Sequence, residues 1–198
     1  MKLPDFEKIK TLYKLGKNLT FSDIQILIKS AKTKSISPGE FLIKEGDTKK
    51  EIFLIKKGLV RTYKINDKGD EITTLVRYEN QVVASPDIIF FNKPSEFYFE
   101  AFEPTEVFYM DYEMLQQLID SNPKLEANRK FFLHNILKDL LKRVDSFVLL
   151  SPEERYLEFI KTHPDITNRI PNKHIANILG ITPVSLSRIR KRIVTKNK

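Results

Sequence analysis

Near the C-terminus, Arg188, Arg190, Lys191 and Arg192 follow closely on Thr182, Pro183, Val184, Ser185 and Ser187. Guanidinium and ammonium groups bind anionic oxygen, and a guanidinium can fork onto the O6 and N7 of guanine. A small apolar side chain such as Val184 can meet a thymine methyl. This is the chemistry of reading a nucleic acid. The charge distribution points the same way. From Ile166 to the end there are eight basic residues and no acidic one, which accounts for the whole net charge of +8. A basic cluster beside an electrically balanced body marks a polyanion-binding module; the plainer reading is a solvated lysine-rich tail.

Catalytic and metal chemistry find little support. The chain has no cysteine, which excludes disulfides, thiolate nucleophiles, cysteine-ligated iron–sulfur clusters and thiolate zinc sites. His134, His163 and His174 belong to three different helical stretches, so they offer no ligand cluster. There is no glycine-rich phosphate loop of the P-loop or dinucleotide type and no Gly-x-Ser-x-Gly elbow. The expectation is a protein without catalytic residues, metal or cofactor. The longest apolar runs, 88–91 and 147–150 among them, are four residues, against the roughly 20 that span a bilayer. The start MKLPDFEKIK lacks the apolar core of a secretory signal. A cytoplasmic protein with no membrane partner is expected.

The basic residues need a scaffold, and residues 172–193 supply one. Their apolar positions are Ile175, Ala176, Leu179, Ile181, Leu186, Ile189 and Ile193. A short helix ends at Gly180, and Thr182-Pro183 opens a second as cap and first residue. Leu186, Ile189 and Ile193 fall within an arc of about 60° on that second helix, while Val184, Ser187, Arg188 and Lys191 point the other way. A helix held by one face, with basic and small residues on the other, can lie in a major groove. Arg188 is the expected base reader, and Arg190, Arg192, Lys196 and Lys198 are the expected phosphate contacts. An ordinary helical hairpin with a solvated basic face is the competing reading.

Three segments precede or include this scaffold, which makes the expected fold class α+β. Residues 5–33 carry apolar residues at helical spacing, at Phe6, Ile9, Leu12, Ile24, Leu27, Ile28 and Ala31. From about Lys34 to Asp111 the pattern is of short strands: 40–43, 52–55, 59–65, 72–78, 97–102 and 106–110. Turn residues punctuate them, Asn66-Asp67-Lys68-Gly69-Asp70 reading as a hairpin turn, and together they suggest an antiparallel roll, barrel or sandwich. Residues 124–150 then read as one long helix, with Leu133, Leu137, Leu140, Val144 and Phe147 at intervals of 4, 3, 4 and 3. A plain amphipathic helix packed on its own sheet is one reading; at about 40 Å, however, the helix outreaches a small β domain, so the stripe is expected to face the same helix of a second subunit. Ser151-Pro152-Glu153-Glu154 then reads as a capping-box start, opening a new domain. The expected domains are 1–123, 124–150 and 151–198.

In this order the chain resembles the CRP/FNR family of bacterial transcription regulators along nearly its whole length. Ile43-Lys44-Glu45-Gly46-Asp47 with 52–58 is similar to that family's roll opening, and IPNKHIANILGITPVSLSRIRKRI to its helix-turn-helix. The resemblance implies a jelly-roll-like β-roll sensor of the cyclic-nucleotide-binding type, a dimerisation helix and a small all-α DNA-binding domain. It implies a homodimer on a two-fold-related operator of double-stranded DNA, with RNA polymerase as a protein contact and either a small-molecule effector or none. Members that bind cyclic AMP hold the ribose with Gly-Glu and the cyclic phosphate with Arg-Ser or Arg-Thr. Those positions fall here on Pro86-Asp87 and Ser95-Glu96. A carboxylate stands beside the place of the arginine, where an anion would be repelled. The expectation is no cyclic AMP binding, with Asp87, Ser95 and Glu96 as the candidate effector pocket. A cyclic-nucleotide-responsive regulator, or a ligand-binding module of another protein, are the alternatives. Pro183 and Val184 occupy positions where relatives carry polar base readers, so a different operator sequence is expected. So is the lack of a β-hairpin wing after Ile193.

Overall fold

The computed structural model describes residue 27 and residues 29–196, apart from the side chains of residues 128, 131, 132, 135 and 196. Phe6, Ile9, Leu12, Ile24, Ile28, Lys198 and the Lys196 side chain lie outside the described residues. Eight strands are described: β1 (Lys32–Ile36), β2 (Phe41–Ile43), β3 (Glu51–Lys57), β4 (Val60–Ile65), β5 (Glu71–Arg77), β6 (Val82–Val83), β7 (Tyr98–Ala101) and β8 (Thr105–Asp111). The helices are α1 (Pro86–Phe90), α2 (Tyr112–Asp120), α3 (Pro123–Leu149), α4 (Pro152–Thr162), α5 (Ile166–Arg169), α6 (Asn172–Ile178) and α7 (Pro183–Lys196). The fold is α+β, as expected. Among the described residues no helix is long and apolar enough to cross a membrane.

The strands form two four-stranded sheets, ordered β1-β8-β3-β6 and β2-β7-β4-β5. Alternation along β3, β7 and β8 turns Phe53, Ile55, Phe99, Ala101 and Val107 inward. They meet Ile36, Leu42, Ile43, Val60, Val83 and Ile88 in one buried core. Gly58 shows how tightly this roll closes. Its φ is +106°, and a Cβ there would lie 2.7 Å from the Thr105 Cα, so a side chain would have no room. On the other face of the second sheet, Arg61 pairs with Glu100 directly across β4 and β7 at 2.7 Å and stacks on Tyr63. Burial of that charge is tolerated because its partner is in register.

One boundary differs from the sequence reading. Helical spacing extends the N-terminal helix to residue 33, yet Lys32 and Thr33 begin β1, in register with Tyr109 and Phe108 of β8. The ladder to β8 outweighs local propensity. Lysines at 32 and 34 on this outer strand also discourage pairing with another chain.

The chain divides into two compact units, one running to Tyr63 and resuming from Val76 to Ile136, the other comprising Lys64–Leu75 and the chain from Leu137. The second unit therefore contains the β4–β5 turn, where Asn66 Oδ1 accepts the N–H groups of Lys68 and Asp70 at 2.9 Å each. It also contains the C-terminal half of α3 and all of α4 to α7. Two bonds tie the turn segment to α6: Thr73 Oγ1 lies 2.8 Å from His174 Nδ1, and Asn177 Nδ2 donates to the Glu71 carbonyl at 3.3 Å.

Candidate nucleic-acid interface

Within the second unit, α6 and α7 form a helix-turn-helix whose own apolar residues hold it together. Ile175, Ala176, Leu179, Leu186 and Ile189 are all buried. Ala176 is fully enclosed, as close approach of the two helices requires. The chain reverses at Gly180, whose φ of +66° is left-handed. Its N–H donates to the Asn177 carbonyl at 2.9 Å, and that of Ile181 to Ala176 at 3.0 Å. Thr182 then caps α7, its Oγ1 accepting the Ser185 N–H at 3.1 Å. Pro183 follows as the first helical residue.

With Leu186 and Ile189 committed inward, the opposite face of α7 is fixed by helical period. Pro183, Val184, Ser187, Arg188, Lys191 and Arg192 are exposed, and Ser185 is half-buried beside the cap. The structure therefore brings Val184, Ser187, Arg188 and Lys191 onto one outward surface. Two expected phosphate contacts are engaged otherwise. Arg190 is half-buried, its Nε donating to the Tyr156 hydroxyl at 2.9 Å while its guanidinium stacks over that ring. Arg192 Nη1 lies 3.2 Å from a Glu153 carboxylate oxygen. Tyr156 and Glu153 both sit on α4, which the sequence reading located but gave no role.

The start of α4 is a full capping box. Ser151 Oγ accepts the Glu154 N–H, and Glu154 accepts the Ser151 N–H at 2.8 Å. The Ser151 hydroxyl and then its backbone N–H hold the Glu154 carboxyl below the usual carboxylate range. This first turn and α7 enclose an open cleft of about 600 Å³ lined by Ser151, Glu153, Ser185, Arg188 and Arg192, among others. Glu153 thus stands in the approach to the basic face.

In the first unit, the expected effector residues do come together, but on one another. Ser85 Oγ donates to Ser95 Oγ at 3.0 Å, and Ser95 Oγ donates to the Phe97 carbonyl at 2.9 Å, both serines being buried. Asp87 Oδ2 accepts the Glu96 N–H at 3.0 Å, and the Asp87 carbonyl accepts that of Lys93. Glu96 is exposed. The segment between β6 and β7 is closed by its own hydrogen bonds. Asp87, expected to face a ligand, spends one oxygen on the backbone.

On α3, Leu133, Leu137, Leu140, Val144 and Phe147 are all exposed in the single chain, Leu140 at 56%. Phe147 differs from the rest, because its ring packs at Gly180 within the same chain.

Residues 33–122 match the cyclic nucleotide-binding domain family. The chain is 31% identical over 81 residues to a global nitrogen regulator of Nostoc, covering 40% of this chain and 36% of that protein. Over 164 residues it is 26% identical to electron transport regulator A of Shewanella oneidensis, covering 74% and 62% respectively. It therefore spans less than two thirds of either relative's length. The solved structure of FixK2 from Bradyrhizobium japonicum superposes with a TM-score of 0.72 over 84% of this chain and 86% of that one, at 16% identity. The fold is that of a cyclic-nucleotide-binding roll followed by a helix-turn-helix. Residues 33–122 thus belong to the cyclic nucleotide-binding domain family, and the chain as a whole is similar to regulators of the CRP/FNR type.

The Glu153–Arg192 pair generates a prediction. Glu153→Gln removes the carboxylate that competes for Arg192, so affinity for double-stranded DNA should rise. The slope of log affinity against log salt should steepen by about one unit, as one more phosphate is neutralised. A salt titration by gel shift checks this; an unchanged slope would place Arg192 away from the backbone.

Proposed function

We propose that the protein is a homodimeric transcription regulator that reads a two-fold-related operator with α7 of each subunit. The observation that carries this is the outward face of α7, where Arg188 and Lys191 are presented beside Val184 and Ser187 while Leu186 and Ile189 are buried. Such a helix meets a major groove with its N-terminal half against base edges. Arg188 is the base reader, and Pro183, Val184 and Ser187 complete the reading surface. Lys191, with Lys196 beyond the described side chains, supplies phosphate contacts, and Arg192 is held back from them by Glu153. Arg190 supports the surface through Tyr156. The relatives' names, global nitrogen regulator and electron transport regulator A, agree with this reading.

Dimerisation is proposed through Leu133, Leu137, Leu140 and Val144 of α3. A contiguous exposed stripe of this length is unfavourable in water and marks an interaction surface, and its 3.5-residue spacing suits a paired helix. Residues 1–123 then act as sensor, 124–150 as dimerisation helix and 151–198 as the reading domain. The protein works in the cytoplasm without catalysis, with RNA polymerase as its further contact. We also propose that the roll does not take cyclic AMP, since Ser95 is bonded to Ser85 where the cyclic phosphate would need an arginine fork.

Each part has its own measurement. In a selection from random DNA, Arg188→Ala should lose about 1–3 kcal/mol per half-site and relax the choice of base at one position. Full retention of the wild-type base preference would mean that α7 does not read sequence. Leu140→Asp should give a folded monomer by light scattering, because the carboxylate cannot be solvated in a closed seam; a folded dimer would locate the interface elsewhere. Calorimetry with cyclic AMP should show no saturable heat at micromolar concentrations, and a one-site isotherm in that range refutes this part alone.

A further inference from the structure

Resting on that reading, we infer that Phe147, gripped by Arg143 and Arg155 against Gly180, is the positioning element that sets the spacing of the two half-sites. The covalent link between α3 and α4 is short, only Leu150 and Ser151. Two residues with rotatable backbones do not by themselves fix the direction in which the reading domain leaves the dimerisation helix. Side-chain contacts must do so, and they converge on one ring.

The contacts come from three sides. A Cβ built on Gly180 would lie 2.7 Å from Phe147 Cε1, so the ring occupies the space that any other residue's side chain would need. The Arg143 guanidinium sits 5.6 Å and that of Arg155 5.1 Å from the ring centre, within the range of cation–π attraction. The same two arginines then reach past the ring. Arg143 Nη2 donates to the Ile178 carbonyl at 3.4 Å, and Arg155 Nε to that of Leu179 at 3.2 Å. These carbonyls end α6, where a helix lacks internal partners and favours a cation. Arg155 Nη1 also donates to the Leu150 carbonyl at 2.8 Å, so one guanidinium bridges the end of α3 and the end of α6. Burial lowers the Arg143 pKa from its ordinary value. Such desolvation is tolerated when the contact is held.

None of these three side chains is among the residues that pack α6 against α7. The core of the helix-turn-helix is Ile175, Ala176, Leu179, Leu186 and Ile189. The clamp touches the outside of its turn. Loosening it should leave the reading surface intact and free its direction. A swing of about 10° over an arm of about 20 Å, the length of a 14-residue helix, moves α7 by roughly 3.5 Å. That is about one base-pair rise. The clamp therefore acts on spacing, and it reassigns Phe147 from the dimer seam to the joint.

The experiment measures affinity for a single half-site and for paired half-sites whose separation is varied by one base pair at a time. Wild type should show one optimum, falling about tenfold one base pair to either side, since both subunits must engage together. Phe147→Ala should flatten this to within about threefold while its single half-site affinity stays within about twofold of wild type. Phe147→Tyr, which keeps the ring, should restore the optimum. Arg155→Lys, which keeps the charge but loses the fork, should flatten the profile too and serves if Phe147→Ala fails to fold. A sharp optimum in either flattening variant overturns the inference. So does a parallel loss of single half-site affinity, which would mean a structural role, or a monomeric Phe147→Ala, which would return the ring to the seam. No optimum in the wild type would overturn the dimeric reading itself, and this inference with it.

Discussion

The contact between Gly180 and Phe147 is the constraint on which the second unit of this molecule turns. One missing Cβ does two things there. It permits the left-handed φ of +66° that sends α6 into α7, and it leaves the space filled by the Phe147 ring. Any side chain at 180 would meet both costs at once: strain in the turn and displacement of an aromatic ring already held by two guanidinium groups. The turn that defines the helix-turn-helix and the joint that aims it are thus the same few atoms.

Charge is divided around this joint by distance from water. Four arginines of the second unit are engaged within their own chain, by three kinds of partner. Arg143 and Arg155 take helix-end carbonyls, Arg190 a tyrosine hydroxyl and Arg192 the Glu153 carboxylate. The first three donate from half-buried places, and Arg155 uses two of its nitrogens at once, on the Leu179 and Leu150 carbonyls. Arg188 and Lys191 remain on the exposed face of α7. Of the eight basic residues from Ile166 onward, Arg190 and Arg192 are held by side chains of α4, so the outward basic face of α7 is narrower than the basic run in the sequence.

Periodicity made the helical half legible. Thr182, Gly180, Ala176 and the apolar positions of α6 and α7 all lie where local rules put them, because a helix-turn-helix is stabilised largely by neighbours within about 20 residues. The strands β2 to β5, β7 and β8 were equally visible from alternation and turn residues. Two things were not. Thr33 reads as helical from spacing and is a strand because β8, more than 70 residues away, offers a ladder. Arg190 reads as a phosphate contact from its place in a basic run. Only the fold reveals that Tyr156 stands beside it. The closed segment around Ser85, Asp87 and Ser95 was half legible. The loss of the arginine could be counted along the chain, whereas the serine pair that fills the gap needed coordinates.

His174 carries the same lesson further. In the sequence it is one of three scattered histidines with no ligand cluster around it. In the second unit it is buried on α6, with Nδ1 2.8 Å from Thr73 Oγ1, a residue 101 positions earlier. A buried imidazole that lost this partner would forfeit more than the bond, since its polar atom would be left desolvated and unsatisfied. Asn177, one turn further along α6, holds the Glu71 carbonyl on the same segment. The β4–β5 turn segment is thereby fastened to the first helix of the helix-turn-helix by two side chains on one face. The Ile178 and Leu179 carbonyls, just beyond Asn177, accept the Arg143 and Arg155 bonds. The body of α6 thus faces the turn segment and its last carbonyls receive Arg143 of α3 and Arg155 of α4, which leaves α7 as the member of the pair with an open side.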